Sequence, residues 1–303
     1  MKRLAVALLS CIWATPALAE PALRVCLQSN DPPLSSRRGT EPIGFDVELA
    51  RLVAQRLDRP LAIQWFVTRD DPDSNPVTEA NALLSDQRCE LVADYPLVTD
   101  KLGRPRTATG KLPPFEGATP EDRRRWIELG ELAPSVPYRF DAITVALAPS
   151  HAGTSVQSLH ALHEFTIGVV VHGLPDLIAM AYHDGELADR VVHASQSNAL
   201  FAQLENGSLD AALVELRELD AWRVAHPTTP IIATGYTHSI GFNIGYVGLS
   251  TSRALLQRVD ATVTDLLGQD GMPRLAAAAG MTWLPPRSSH IQAGTVLESL
   301  RGD

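Results

Sequence analysis

The chain has 303 residues, with 45% hydrophobic and 20% charged residues, the balance of a globular protein with a full core. Its formal net charge of −9 argues against nucleic acid or an anionic membrane as partner, since both repel an acidic surface. The length predicts about two lobes or domains.

The N-terminus opens on Lys2 and Arg3, continues as an apolar run from Leu4 to Trp13 and reaches Ala17-Leu18-Ala19, a small-x-small cleavage pattern. This reads as a secretory signal over residues 1–19, too short for a membrane anchor. Cleavage is expected after Ala19, releasing a soluble, periplasmic chain of net charge about −11, since Lys2 and Arg3 leave with the signal. Cys11 lies inside the apolar run, away from the junction, so no lipid anchor is expected. Cys26 and Cys89 then remain as an even pair in an oxidising compartment. With no CxxC and no neighbouring histidine cluster, they read as a disulfide staple and not as a redox or metal pair.

In chain order, Leu23–Leu27 reads as an apolar strand running into the polar turn Gln28–Pro33. Residues 44–57 read as a helix that places Val47, Ala50, Ala54 and Leu57 on one face, with acids early and arginines late. Strand 61–68, helix 75–86 and strand 89–95 follow. Residues 99–137 break this rhythm with Pro, Gly and basic residues, and hold one helical candidate at 120–129. Their composition suits an adaptable, positively charged surface more than a core. Strands are expected again at 142–147, 166–171, 190–192, 211–214 and 245–249, with helices at 175–183, 198–205, 253–268 and 272–279. Alternating strands and helices define an α/β fold with a mostly parallel sheet. Residues 287–303 read as a loosely held tail.

Four segments carry a resemblance: Gly44-Phe45-Asp46-Val47-Glu48-Leu49-Ala50, Ile167-Gly168-Val169, the run from Asn206 to Leu213, and Gln269-Asp270-Gly271-Met272 with Ala279-Gly280-Met281. In this order they resemble the family-3, type II periplasmic solute-binding proteins over nearly the whole mature chain. That resemblance implies two α/β lobes joined by a hinge, with a ligand closed between them. Lobe 1 would comprise 20–100 and 237–286, lobe 2 would comprise 138–236, and 101–137 would be an insertion near the cleft and hinge. Leu23-Arg24-Val25-Cys26, Pro32-Pro33-Leu34-Ser35, Arg88-Cys89-Glu90-Leu91-Val92 and Pro137-Tyr138-Arg139 are also similar to solute-binding-like proteins associated with quinoprotein (PQQ-dependent) methanol and alcohol dehydrogenases.

Ligands of open α/β sheets sit beyond the carboxyl ends of the strands, which makes Asn30, Asp94, Tyr95, Arg139, His172 and Glu215 the candidate ligand-binding residues. Tyr95 could stack on a ligand or cover the sheet end. Arg139 could pair with an anionic ligand or with an acid across the hinge, and Glu215 could meet an ammonium group or cap a helix beside Arg217. His172 could titrate in the cleft or be structural. His160 and His163 form a His-x-x-His pair that reads as a solvated face, and no metal site or cofactor is implied. Amino-acid binders of the resembled family use Thr-x-x-Arg for the α-carboxylate. Here Thr99 and Arg104 are spaced more widely, and Leu174 stands where a hydroxyl is expected. A standard amino acid is therefore not the expected ligand. No nucleophile elbow, phosphate loop or His-Glu-x-x-His is present, so the protein does not read as an enzyme. Two roles follow from the resemblance. One is a monomeric solute receptor serving an inner-membrane ABC permease; the other is an accessory protein that contacts a periplasmic quinoprotein dehydrogenase.

Overall fold

The computed structural model describes residues 20–68 and 75–287. The expected signal peptide, residues 69–74 and residues 288–303 lie outside the described residues. None of the described helices is long and apolar enough to cross a membrane.

The described chain opens with β1 (Leu23–Gln28), β2 (Asn30–Asp31), β3 (Ser35–Ser36), α1 (Phe45–Arg56), β4 (Leu61–Phe66), α2 (Pro76–Ser85) and β5 (Leu91–Pro96). Next come the short strands β6 (Thr109–Lys111), β7 (Trp126–Glu128) and β8 (Leu132–Pro134). Then follow β9 (Arg139–Leu147), β10 (Ile167–Val170), α3 (Leu174–Ala181), β11 (Val191–Ala194), α4 (Ser197–Glu205), β12 (Ala211–Glu215) and α5 (Leu216–Ala225). The chain closes with β13 (Ile232–Leu249), α6 (Arg253–Gly268) and α7 (Gly271–Ala279).

One sheet of nine strands runs through the molecule in the order β11-β10-β12-β9-β13-β5-β1-β4, with β8 paired to β13. β1 is parallel to both β4 and β5, and β10 to both β11 and β12. Each end of the sheet is therefore a parallel α/β unit. β9 and β13 run antiparallel between the units, from the Leu147–Ile232 pair at one end to the Arg139–Ile244 pair at the other. Both faces of both units are buried. In β1, Leu23, Val25 and Leu27 face a core shared with α1, α6 and α7, while Cys26 faces the core under α2. In β12, Ala211 and Leu213 face one core, and Ala212 and Val214 the other. Strands buried on both faces read as unbroken apolar runs, which is why they were legible in the sequence. The result is two α/β lobes joined by two strands.

The local predictions for the first lobe hold for physical reasons that can be named. Val47, Ala50, Ala54 and Leu57 all enter the lobe 1 core. α1 begins at Gly44, whose φ is +126°, and a Cβ there would lie 2.3 Å from the Leu34 carbonyl oxygen. Only glycine meets both conditions. The Asn75 side chain accepts from the Val77 and Thr78 amides, with Pro76 in the first turn, an N-terminus of standard chemistry. Cys26 and Cys89 form a disulfide with Cα atoms 5.6 Å apart, because β1 and β5 are neighbours in the sheet.

Five expectations are corrected. The helix expected at 120–129 is a 3-10 turn at Asp122–Arg124 followed by β7, which pairs with β6. Asp122 binds back to the Thr119 amide and hydroxyl, and burial alternates from Trp126 (exposed) through Ile127 (buried) to Glu128 (exposed), a strand period. The 101–137 segment is also part of a core, since Leu112, Ile127 and Leu132 pack with α2 residues. Of its basic side chains, Arg125 pairs with Asp86 at 2.7 Å, and its Asp122 takes Arg88 from outside the segment at 2.8 Å. α5 was not expected, because burial is confined to Leu219 and Asp220 and leaves little amphipathic signal. Nor was the first two-thirds of β13, where Gly235 and Gly241 accompany two register shifts that interrupt the two-residue period. Arg287, placed at the start of a loose tail, is held: its guanidinium lies 3.9 Å from the Phe140 ring centroid and donates to the Ser239 carbonyl.

Candidate functional site

Between the lobes lies a cleft of about 320 Å³ lined by residues from both. Val77, Asp94, Pro96 and Val98 come from lobe 1, Lys101 from the start of the 101–137 segment, and Glu215 and Arg217 from the end of β12 and the start of α5. Asp141, Phe242 and Ile244 come from the two connecting strands. The lining thus mixes apolar and charged side chains.

The lining acids and Arg217 belong to a continuous ion network. Arg139, 3% exposed, pairs with Asp94 and lies 3.2 Å from Asp141. Asp141 in turn lies 3.6 Å from the Arg217 guanidinium, which also bonds Glu215 at 2.7 Å and Asp31 at 3.2 Å. Asp31 belongs to lobe 1 and Arg217 to lobe 2, so this pair spans the cleft. Behind Asp94, the Tyr138 hydroxyl accepts from the Asp94 amide and donates to the buried Asp46 carboxyl, each at 2.8 Å. The acids outnumber the guanidiniums. Asp46 is pushed up to about 8 by burial first and then by the Asp94 charge. Burial likewise pushes Asp31 up to about 6 against the pull of Arg217, and pushes Glu218 up to about 7 with the help of Glu215. Arg139 is buried and Arg217 half-buried, which opposes their charge, but the surrounding acids hold both above the ordinary arginine range.

A raised Asp46 has a measurable consequence. The folded state holds a proton that the unfolded chain releases near 4, so this contribution to stability is complete below 4 and is lost as pH rises through about 8. Each unit of displacement corresponds to about 1.4 kcal/mol. Unfolding free energy followed by urea titration should fall between pH 6 and pH 9, and Asp46→Asn should flatten that fall. Equal slopes for wild type and variant would show that Asp46 is not the titrating group.

The six residues expected to bind ligand are not all brought together. Asp94 and Glu215 line the cleft. Arg139 lies beneath it, paired with acids, as the structural alternative has it. Tyr95 is 2% exposed, packs in the core under α2 and donates its hydroxyl to the Lys101 carbonyl at 3.1 Å, so it covers the sheet end and does not line the cleft. The cause is local. Asp94 adopts φ +56°, which breaks the strand alternation and puts Tyr95 on the face of Val92 instead of that of Ala93. Asn30 is exposed beside Asp31, and His172 is exposed with its amide donating to Asp176; neither lines the cleft. Arg104 lines an adjoining cavity of about 260 Å³ that shares Val77 and Lys101 with the cleft, and Thr99 lines neither. His160 has an acid partner the sequence did not reveal: Glu186 bonds His160 at 2.9 Å and His183 at 3.2 Å.

The residues missed are Asp31, Asp141, Lys101 and Phe242, with Arg217 considered only as a neighbour of Glu215. Asp31 stood beside Asn30 in the same strand-end turn and could have been chosen on that ground. Asp141 carried no signal, because β9 begins three residues earlier than its apolar run.

No model of a known protein family matches the sequence, and no curated protein matches it. Solved structures do. The L-cystine solute receptor of Neisseria gonorrhoeae, in its unliganded open conformation, superposes with a TM-score of 0.61 at 12% identity, over 88% of this chain and 96% of that one. An amino acid ABC transporter substrate-binding protein from Streptococcus pneumoniae, bound to L-arginine, gives 0.51 at 16% identity, over 87% and 95%. A histidine kinase sensor domain similar to periplasmic binding proteins gives 0.52 at 13% identity, over 88% and 98%. The fold is the type II periplasmic-binding-protein fold. Since it serves both transport receptors and a kinase sensor, the fold alone does not set the output.

Proposed function

We propose that the mature chain, cleaved after Ala19, is a monomeric, non-catalytic periplasmic receptor that closes its lobes on a small solute and delivers it to an inner-membrane ABC permease. The hinge falls where the chain crosses near 137–138 and returns near 236–237. The observation that carries this reading is the cleft of about 320 Å³ lined from both lobes. A standard α-amino acid is not the solute: Arg139 and Arg217 are engaged by carboxylates, and Arg104 lies in another cavity. A ligand carboxylate left without charged hydrogen bonds forgoes about 1.5–3 kcal/mol for each, ten- to a hundredfold in affinity. Calorimetry should therefore find no micromolar binding of standard L-amino acids, and one such complex would overturn this part of the reading.

A second reading, an accessory protein that contacts a quinoprotein dehydrogenase, is favoured by the Arg217–Asp31 pair spanning the cleft and by the Cys26–Cys89 bridge that accompanies the sequence resemblance. A thermal-shift screen against periplasmic solutes and dehydrogenase cofactors separates the two, because a ligand that binds only the folded state raises the melting temperature. A solute hit supports the receptor. Copurification with a dehydrogenase and no solute hit supports the accessory role.

A further inference from the structure

We infer that the cleft is built for an organic cation without a carboxylate, and that Arg217 is a tethered stand-in for its charged head. This inference rests on the receptor reading. Arg217 occupies the first turn of α5, where the positive end of the helix dipole disfavours a cation. Local chain chemistry therefore does not explain its position. The explanation is a cage of three carboxylates from three separate elements, Asp31 of β2, Asp141 of β9 and Glu215 of β12. The first of these belongs to lobe 1 and the last to lobe 2, so the guanidinium draws the lobes together as a bound ligand would.

The space beside this cage matches the same chemistry. Asp94, Asp141 and Glu215 line the cleft together with Val77, Pro96, Val98, Phe242 and Ile244. An ammonium, amidinium or guanidinium on a short apolar body suits both kinds of lining. An anion would have to break ion pairs already made and would then face the released carboxylates. Lys101, exposed at the cleft, is the remaining lining cation, and one solvated ammonium does not offset the acids across from it.

The Arg217 side chain is 31% exposed and sits on a flexible stem, so it can leave the cage for solvent when a free cation enters. While it is in place it competes. An intramolecular competitor that fills a site nine-tenths of the time weakens an outside ligand about tenfold. Removing it should therefore strengthen the binding of cations. If Arg217 were instead the anchor for a ligand carboxylate, removing it would weaken binding, and the two roles predict opposite signs.

The test is calorimetry on the wild-type mature chain and on Arg217→Ala at constant chloride, with ethylguanidinium, n-butylammonium, butyrate and L-alanine as probes. Arg217→Met, which keeps the apolar volume of the stem, replaces the alanine variant if that one does not fold. The expected result is cation binding about tenfold tighter in the variant than in wild type, with butyrate and L-alanine bound by neither. Glu215→Gln in the variant background should remove most of that gain. Butyrate or L-alanine binding that is lost in Arg217→Ala would overturn the cation assignment while leaving a receptor cleft in place. Equal affinities for the cations in both proteins, or no binding of any probe to either, would also overturn the assignment. In the last case a solute hit in the thermal-shift screen decides whether the receptor reading survives.

Discussion

Arg139→Met should destabilise the protein by about 3–5 kcal/mol at pH 7.5, the magnitude typical of removing one partner from a buried ion pair. The guanidinium is 3% exposed and pairs with both Asp94 and Asp141. Asp46 lies behind Asp94 on the same Tyr138 hydroxyl. Without Arg139, Asp94 and Asp141 keep their burial and lose the charge that compensates them. Arg139→Lys should fall between wild type and the methionine variant, since an ammonium restores the charge but not a two-pronged reach. A loss under about 1 kcal/mol for Arg139→Met, outside the range for a broken buried pair, would show that the network contributes little to folding.

Replacing both Cys26 and Cys89 by alanine should lower stability by about 4 kcal/mol on the chain-entropy account of loop closure. The two residues are 63 apart in sequence, so the reduced unfolded chain gains the freedom of a long loop. Both side chains are buried in the core under α2, and the small volume lost there adds to the effect. Thiol titration of the unfolded, unreduced wild-type protein should find no free thiol. Two free thiols would show that the bridge does not form. A double variant within about 1 kcal/mol of wild type, well short of the loop-closure estimate, would show that the unfolded chain is already restricted over this span.

Much of the fold was legible because its signals are local. Residues 45–56 carry an apolar face within four turns, Gly44 sits where only glycine fits, and the neighbouring strands β1 and β5 bring Cys26 on β1 beside Cys89 just before β5. Where local signals were weak or broken, the reading failed. α5 buries little, β13 is interrupted by glycines and register shifts, and β7 buries a single residue in an arginine-rich run that reads as helix.

The candidate site divides in the same way. Asp94 and Glu215 stand at strand ends, a position the order of strands and helices determines, and both line the cleft. The network around them depends on tertiary structure alone. Asp31 and Arg217 are 186 residues apart and Asp94 and Arg139 are 45 apart, and no pattern in the chain marks them as partners. They meet because β9 and β13 join the lobes and bring the ends of β2, β5 and β12 to one cleft. Tyr95 shows the limit at a single residue. Its type suits both a stacking platform and a core, and the left-handed backbone at Asp94 sets which of the two cores it enters. Short-range periodicity and turn chemistry determined the elements and the disulfide. The pairing of distant charges, which sets what the cleft can hold, was decided only when the two lobes packed against the strands that connect them.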